Sequence, residues 1–161
     1  DPPGKYFRLC PQKEVRLKGA YYIKYASHET DENGNITAVH CTYDPESYGG
    51  DTKDGRKVKG TLHWVDANNC INAEVRLYDR LFNVPNPSDE EGVTSFADNL
   101  NPDSLKILNG CKLDKSLGGV KAGDTFQFMR QGYFCVDTDS TADRLVFNRT
   151  VALKDSFAKK A

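Results

Sequence analysis

The chain has 161 residues with 22 basic and 23 acidic side chains, so its net charge is −1 at neutral pH. That balance excludes a protein that coats DNA through bulk positive charge, and a hydrophobic content of 38% excludes a wholly disordered chain. The charge is uneven, because residues 5–24 hold six basic residues and one acid, whereas residues 86–103 hold five acids and no base. A nucleic acid would therefore meet this protein through a local patch.

The five cysteines are odd in number, widely spaced and without a Cys-x-x-Cys pair. Together with the absence of a signal-like apolar start, this usage predicts a reducing, cytoplasmic environment. No apolar run approaches the length of a membrane span, so the sequence predicts a soluble protein. The chain begins with Asp1 and Pro2 rather than methionine, and we expect it to be a piece of a longer protein.

Apolar residues alternate along most of the chain, and a period of two predicts β-strands. The first predicted strand spans residues 14–27 and is long and bent, with Gly19 as a bulge or kink. A hairpin turn at residues 32–35 (ENGN) precedes a second strand at residues 36–44.

The segment at residues 54–65 (DGRKVKGTLHWV) has two different faces. Its Asp-Gly pair predicts a type I′ turn, because glycine tolerates a positive φ. In the strand that follows, one face can pack, with the tryptophan as a core anchor, and the other can meet a polyanion. The packing face consists of Val58, Gly60, Leu62 and Trp64, and the polar face of Lys57, Lys59, Thr61 and His63.

The rest of the chain also favours strands. Residues 74–84 and 144–153 each predict one strand, residues 125–139 predict two strands folded near Gly132, and residues 96–100 predict a single helical turn. Many short strands at this spacing indicate an all-β fold of small antiparallel β-barrels, since closure removes exposed sheet edges.

We expect two barrels, a first segment at residues 1–70 and a second at residues 71–161. The boundary rests on the loop-like stretch at residues 68–72, which separates strongly patterned strands. A second arrangement stays open at this point, in which the two barrels interleave and the C-terminal strand returns to the first.

Catalytic and metal sites lack the necessary parts. The sequence has no glycine-rich phosphate loop, which argues against a nucleotide site. His28, His40 and His63 do not have metal-like spacing, and Cys135 between aromatic residues fits a buried, inert thiol. We therefore predict no catalytic residue, no metal site and no cofactor within this chain.

Cations interleave with aromatic residues in three places: Tyr6, Phe7 and Arg8; Arg16, Lys18 and Tyr21; and Gln127, Arg130 and Tyr133. Proteins that bind single-stranded RNA use such residues, because unstacked bases offer faces for stacking and edges for hydrogen bonds. The planar fork of arginine can read a base edge bidentately. The same pattern is also typical of a solvated sheet face, and spacing alone does not separate the two interpretations.

Seven ordered blocks, which cover almost the whole chain, resemble the C-terminal anticodon-binding region of glutaminyl-tRNA synthetase, a class I aminoacyl-tRNA synthetase. The blocks are KEVRLKGAYYIK at 13–24, HCTYDPES at 40–47, DGRKVKGTLHWVDA at 54–67, AEVRLYDRLFNVPNP at 73–87, NPDSLK at 101–106, FQFMRQGYFCVD at 126–137 and VFNRTVALKDS at 146–156. The resemblance implies proximal and distal β-barrels, similar to the ribosomal 5S-RNA-binding barrel fold, that grip the anticodon loop and splay its bases.

The resemblance also implies roles for matching residues. Arg8 matches the arginine that reads the third anticodon base, and Arg16 matches one of two cations at the first base. The second of these cations is typically arginine but is Lys18 here, which keeps the charge and loses the bidentate geometry. Gln127 and Arg130 match the polar pair at the central base.

Three further residues are predicted to contact the tRNA backbone. Lys57 and Lys59 lie in a strongly matching block to which the resemblance gives no base-reading role. Two interpretations stay open for them: contact with backbone phosphates, or a face of the strand that is only solvated. Ser156 replaces a threonine near the family's C-terminal contact and can keep its hydroxyl function.

For the whole protein, the resemblance implies a ligase that joins glutamine to its tRNA with ATP and Mg²⁺, both held by an upstream catalytic domain. The HIGH and KMSKS-type signatures of that domain do not occur here. The expected partner is the anticodon loop of glutamine tRNA, with no DNA or membrane partner, and we expect a monomer. Two alternatives stay open: a glutamyl-tRNA synthetase of archaeal or eukaryotic type, and a free-standing RNA-binding β-barrel.

Overall fold

The computed structural model describes residues 6–49, 52–88, 92 and 95–153. Within these ranges the regular structure consists of nine β-strands and three single 3₁₀ turns, so the expected all-β class is confirmed. The chain divides into two compact units, residues 1–64 and residues 65–161. The predicted division at residues 70/71 stays a prediction.

Unit 1 contains four strands: β1 (Glu14–Leu17), β2 (Tyr22–Thr30), β3 (Ile36–Asp44) and β4 (Thr61–Leu62). They form one sheet in the order β3-β2-β1-β4, in which β4 runs parallel to β1 and the other neighbours are antiparallel. The ladder of this sheet does not close on itself within the described residues.

The prediction of one bent strand at residues 14–27 was wrong. Gly19 adopts a φ of +71° in a tight turn in which the amide of Ala20 donates to the carbonyl of Leu17 at 3.0 Å. The chain therefore reverses, and β1 and β2 pair side by side with Arg16 opposite Tyr22. Alternation on both sides of the glycine is equally compatible with a bent strand and with a hairpin, and the sequence pattern alone did not separate them.

The predicted hairpin turn after β2 is confirmed, as is the strand Ile36–Asp44 that follows it. Asp31 organises this turn, because its carboxylate accepts the backbone amides of Asn33 and Asn35 at 2.9 and 2.8 Å. Hydrogen bonds from the side chain and backbone of Asn35 lower the pKa of Asp31, so the carboxylate is held in its charged form.

The segment at residues 54–65 differs from its prediction in three ways. Gly55 ends a turn that begins at Thr52, and Asp54 does not have the positive φ of a type I′ turn. Only Thr61–Leu62 is regular strand. Trp64 is 45% exposed rather than a core anchor, and its indole Nε1 donates to the carbonyl of Lys18 at 3.0 Å.

The most buried apolar side chains among the described residues of unit 1 are Val15 and Tyr22, each 1% exposed, and the register of β1 and β2 places them on opposite faces of the sheet. Ser47 is also buried, and its hydroxyl accepts the amide of Tyr22 at 2.8 Å and donates to the carbonyl of Asp44 at 2.6 Å. This pair of bonds joins a backbone amide at the start of β2 to a backbone carbonyl at the end of β3.

Unit 2 contains five strands: β5 (Cys70–Tyr78), β6 (Leu105–Asp114), β7 (Thr125–Phe128), β8 (Gly132–Val136) and β9 (Leu145–Val151). Their order is β6-β5-β9-β8-β7, with β5 and β9 parallel and the other pairs antiparallel. This ladder is also open within the described part of the chain, so each unit is a barrel-like sheet rather than a closed cylinder of hydrogen bonds.

Predictions for unit 2 were mostly confirmed. The two strands folded near Gly132, the strand close to the end and the turn at Phe96–Asn99 all form, the turn with a capping box from Ser95. The strand predicted at residues 74–84 instead runs from Cys70 to Tyr78. Strand β6 was missed, because its bulge at Gly110, with a φ of +66°, breaks the alternation that marks a strand.

A charged network joins β5 to the neighbouring segments of unit 2. Arg76 contacts Glu74 at 2.7 Å and Asp139 at 2.7 Å, and Arg144 contacts the second oxygen of Glu74 at 2.6 Å. The hydrogen bonds from Arg144 and Arg76 lower the pKa of Glu74, which allows this largely buried carboxylate to stay ionised.

Phe147 is the centre of the unit 2 core, with no exposed surface and with ring centroids 6.4 and 5.4 Å from Phe126 and Phe128. We expect Phe147→Ala to lower the free energy of unfolding by about 3–5 kcal/mol, because it removes buried apolar contacts and leaves a cavity. Urea unfolding followed by circular dichroism measures this loss.

The matched control is Phe96→Ala, since Phe96 is 56% exposed. We expect the control to lower the free energy of unfolding by less than about 1 kcal/mol. An equal loss in the two variants would contradict the central position of Phe147.

Candidate nucleic-acid interface

Unit 1 carries an open cleft of about 680 Å³ between the segment that precedes β1 and the segment that leads into β4. Six basic side chains line it: Arg8, Lys13, Lys24, Arg56, Lys57 and Lys59. Among the described residues, the acidic lining consists of Glu14 and Asp54. The cleft therefore concentrates positive charge on a protein whose net charge is close to zero.

Arg56 forms ion pairs with the acidic side chains at the cleft. Its guanidinium contacts Glu14 at 2.9 Å, Asp44 at 2.6 Å and Asp54 at 2.7 Å, and it lies over the ring of Tyr22 with 5.7 Å to the centroid. The hydrogen bonds that Arg56 donates to these three carboxylates raise its pKa. All three carboxylates therefore bond to Arg56, and the ion pairs at the cleft do not involve its other described cations.

Hydrogen bonding holds Asp54 and Asp44 in their charged forms. Bonds from the Thr52 side chain and then from Arg56 lower the pKa of Asp54 to about 2. The hydrogen bond from Arg56 is also the main cause of the lowered pKa of Asp44. The ion pairs around Arg56 therefore persist throughout the neutral range.

Five cations of the cleft have no acidic partner within the described ranges: Arg8, Lys13, Lys24, Lys57 and Lys59. Arg8, Lys24, Lys57 and Lys59 are exposed, and the Nζ of Lys13 donates to the carbonyl of Tyr6 at 3.4 Å. Such unpaired cations in one concave surface fit the phosphates of a nucleic-acid strand.

The position of Arg8 depends on Gly60. A Cβ atom at residue 60 would lie 2.4 Å from the carbonyl oxygen of Phe7 and 3.0 Å from Cγ1 of Val15. Only glycine lets the backbone before Arg8 approach the strand this closely. The ring of Phe7 remains 51% exposed beside Arg8, which adds an aromatic surface to the cationic cleft.

Arg16 is half-buried rather than extended into solvent. Its guanidinium donates to the hydroxyl of Tyr22 and lies 4.9 Å from the centroid of that ring. By strand register it shares a sheet face with Glu14 and Lys24, both of which line the cleft. Lys18 lies exposed at the turn between β1 and β2, and its carbonyl accepts the indole of Trp64.

Unit 2 places the predicted pair Gln127 and Arg130 in one hairpin. Gln127 is an exposed residue of β7, and Arg130 lies in the turn closed by a bond of 2.9 Å from the amide of Gln131 to the carbonyl of Phe128. Arg130 has a φ of +64°, which residues other than glycine rarely adopt. Strained residues of this kind cluster at functional sites.

The structure thus brings the predicted Arg8, Lys57 and Lys59 together in the unit 1 cleft, and Gln127 with Arg130 in the unit 2 hairpin. Ser156 lies outside the described residues. The roles of all these residues in recognition stay predictions.

Sequence reasoning did not select Lys13, Lys24 and Arg56 as site residues. Their signal was present but weak. Lys24 belongs to the basic stretch at residues 5–24, and its place in the cleft follows from its register opposite Glu14, which becomes visible only when β1 and β2 are read as a hairpin.

The described residues contain no group of three or more His, Cys, Asp or Glu side chains that could hold a metal ion. Among the same residues, no helix is long and apolar enough to cross a membrane. All five cysteines lie unpaired, and burial raises the pKa of the Cys41 and Cys111 thiols.

Two family profiles match the chain. Both are described as tRNA synthetases class I (E and Q), anti-codon binding domain; one matches residues 61–137 and the other residues 1–44. These matches fall on both units of the structure.

Curated relatives agree with the profiles. The glutamine–tRNA ligase of Vibrio parahaemolyticus is 56% identical over 156 residues, which are 96% of this chain and 27% of that protein. The glutamine–tRNA ligase of Clostridium perfringens is 52% identical over 161 residues, 99% of this chain and 29% of that protein. The enzyme of Pseudomonas syringae is 51% identical over 98% of this chain and 28% of its own length. The chain therefore spans less than a third of these relatives.

The contact between Gly60 and Phe7 leads to a prediction about the cleft. We expect Gly60→Ala to lower the free energy of unfolding by about 1–3 kcal/mol, because the new methyl group meets backbone that cannot move aside like a side-chain end. Thermal unfolding measures the loss, and amide chemical shifts of Phe7 and Arg8 report the displacement.

Gly119→Ala is the matched control, since Gly119 has no atom within 4 Å of an added Cβ and no positive φ. This control should unfold at the wild-type temperature or slightly above it. If Gly60→Ala behaved in the same way, the close approach at Gly60 would not position the Arg8 segment.

Proposed function

Because the chain belongs to the anticodon-binding domains of the class I tRNA synthetases for glutamate and glutamine, we propose that it is the tRNA-reading region of a glutamine–tRNA ligase. Identity of 51–56% to glutamine–tRNA ligases of several bacteria, over nearly the whole chain, supports glutamine rather than glutamate. A free-standing RNA-binding barrel is disfavoured by the same relatives, each more than three times as long as the aligned segment.

The observation that carries the proposal is the unit 1 cleft. Five cations without an acidic partner among the described residues line one concave surface, while Arg56 engages the nearby carboxylates. Binding of a polyanion there releases counterions and requires no rupture of an existing ion pair. Lys57 and Lys59, exposed on the cleft wall, are proposed to contact phosphates of the anticodon loop.

Base reading is assigned to the arginines and the glutamine. Arg8 is proposed to read the third anticodon base from the cleft, and Arg16 with Lys18 the first base. Gln127 and Arg130 are proposed to read the central base from the unit 2 hairpin. Unstacked bases of a loop expose their edges to such side chains. A good bidentate contact contributes about 1–3 kcal/mol of discrimination against a wrong base.

The chemistry of the whole protein is proposed on the same basis. The ligase would attach glutamine to its tRNA with ATP and Mg²⁺ in a part of the protein upstream of this chain, and the chain itself would contribute recognition without a cofactor. We propose a cytoplasmic monomer, a location consistent with five unpaired thiols and with a role in translation. Anticodon binding would favour productive placement of the distant acceptor end.

Binding of tRNA variants tests the assignment. We expect the wild-type chain to bind glutamine tRNA about 5- to 150-fold more tightly than variants changed at the central or the third anticodon base. Arg8→Ala should lose discrimination at the third base only, and Arg130→Ala at the central base only. Filter binding at fixed salt measures each affinity.

Each arginine variant serves as the control for the other, because both remove one positive charge. If both variants discriminated every base as the wild type does, the assigned roles would be wrong. Glutamate tRNA provides the second comparison: equal weak affinity for both tRNAs would leave only a general affinity for RNA.

The salt dependence of binding tests the phosphate contacts. The double change Lys57→Ala and Lys59→Ala should weaken binding of every tRNA variant equally and reduce the slope of log K against log salt by about 1.4, since each phosphate contact with a single strand contributes about 0.7. Lys106→Ala, an exposed lysine of β6, is the control for loss of charge outside the cleft. An unchanged slope in the double variant would show that both lysines are merely solvated.

A further inference from the structure

The outer face of the β7–β8 hairpin carries an aromatic ring directly beside Gln127. Tyr133 is the cross-strand partner of Gln127, and its side of the sheet is solvent-exposed, with Tyr133 at 45% exposure. Directly paired residues point to the same face, with Cβ atoms about 4.5–5.5 Å apart. A flat ring and an amide that can both donate and accept hydrogen bonds therefore lie side by side.

The inner face makes this hairpin rigid. Phe128 stacks on Phe134 with 4.5 Å between ring centroids and an interplanar angle of 21°, and Phe134 is buried. Between them in the turn region, Gly132 has no room for a side chain, because a Cβ atom would lie 2.5 Å from the carbonyl oxygen of Val151. The carbonyl of Tyr133 also accepts the hydroxyl of Thr150 at 3.2 Å.

The charge around the ring favours a polyanion. Residues 125–136 contain no acidic side chain, and Arg130 lies in the turn between the two strands. Arg149 is the cross-strand partner of Phe134, and its Cδ lies 3.5 Å from the position of a Cβ at Gly132, so it belongs to the inner face and adds no charge beside the ring of Tyr133. An apolar protein surface would offer no hydrogen-bonding group to the Gln127 amide beside the ring, whereas a nucleobase edge does.

We infer that Tyr133 is a stacking platform for one unpaired nucleobase, whose edge is read by Gln127. The inference rests on the proposed function and deepens it, because it adds a residue that holds the central anticodon base in place while the amide reads it. Stacking is tolerant of base identity, so Tyr133 sets affinity, whereas Gln127 and Arg130 set specificity.

The test combines substitutions at Tyr133 with two forms of glutamine tRNA, one intact and one abasic at the central anticodon position. Tyr133→Leu should weaken binding of the intact tRNA by about 5- to 150-fold, the range expected for loss of one base–aromatic stack. Tyr133→Phe should keep the affinity within about twofold, since the ring face is preserved. On the abasic tRNA, Tyr133→Leu and wild type should bind equally, because the stacking partner is absent.

Tyr78→Leu is the control, since Tyr78 is an exposed tyrosine of the same sheet at 50% exposure. It should leave the affinity for both tRNAs unchanged. Wild-type affinity of Tyr133→Leu for intact tRNA would overturn the inference. So would a loss that persists on the abasic tRNA, which would indicate a structural role or another contact.

The outcomes separate the inference from the proposed function. If the wild type prefers glutamine tRNA and Tyr133→Leu binds it unchanged, the proposed function stands and the stacking role falls. If the wild type shows no preference for glutamine tRNA over an unrelated tRNA, both fall together.

Discussion

The guanidinium of Arg56 is the constraint on which unit 1 depends. It joins Glu14 in β1, Asp44 at the end of β3 and Asp54 in the turn before β4, so a single side chain fixes three segments that are distant along the chain. Its exposure is partial, and ion pairs in such positions are screened less than those at an open surface. Without this cation, three carboxylates would face one another at the edge of a cleft that otherwise attracts anions.

In unit 2, arginines also form ion pairs with a carboxylate, but this carboxylate is buried. Arg76 and Arg144 hold Glu74 on the parallel pair β5 and β9, where the carboxylate would be costly to bury alone. In both units, arginine engages acids within the fold and leaves other cations facing solvent. A chain with nearly equal numbers of acids and bases can in this way present a locally basic surface. Net charge describes the whole molecule, whereas the charge that a ligand encounters depends on which side chains form ion pairs within the fold.

The sequence pattern predicted the elements whose alternation is unbroken, such as β7 and β8, and it also predicted β9, in which the adjacent Val146 and Phe147 are both buried. It failed where a glycine changes the backbone direction: Gly19 reverses the chain, and Gly110 inserts a bulge into β6. Trp64 shows a third limit, because hydrophobicity alone does not tell a core residue from an exposed ring whose indole caps a neighbouring carbonyl.

The residues of the candidate site were likewise predictable only in part. Family resemblance selected Arg8, Lys57 and Lys59, and the structure places them in one cleft, but no pattern in the sequence separates these solvent-facing cations from Arg56, which is used internally. The strand order of unit 2 has a consequence for biosynthesis. Strand β9 lies between β5 and β8, so the sheet is two separate hairpins until the last described strand has emerged and inserted. Such a non-local pairing is slow to form. If translation stalled before residue 145, the edges of β5 and β8 that β9 covers would stay unpaired and open to association with other chains.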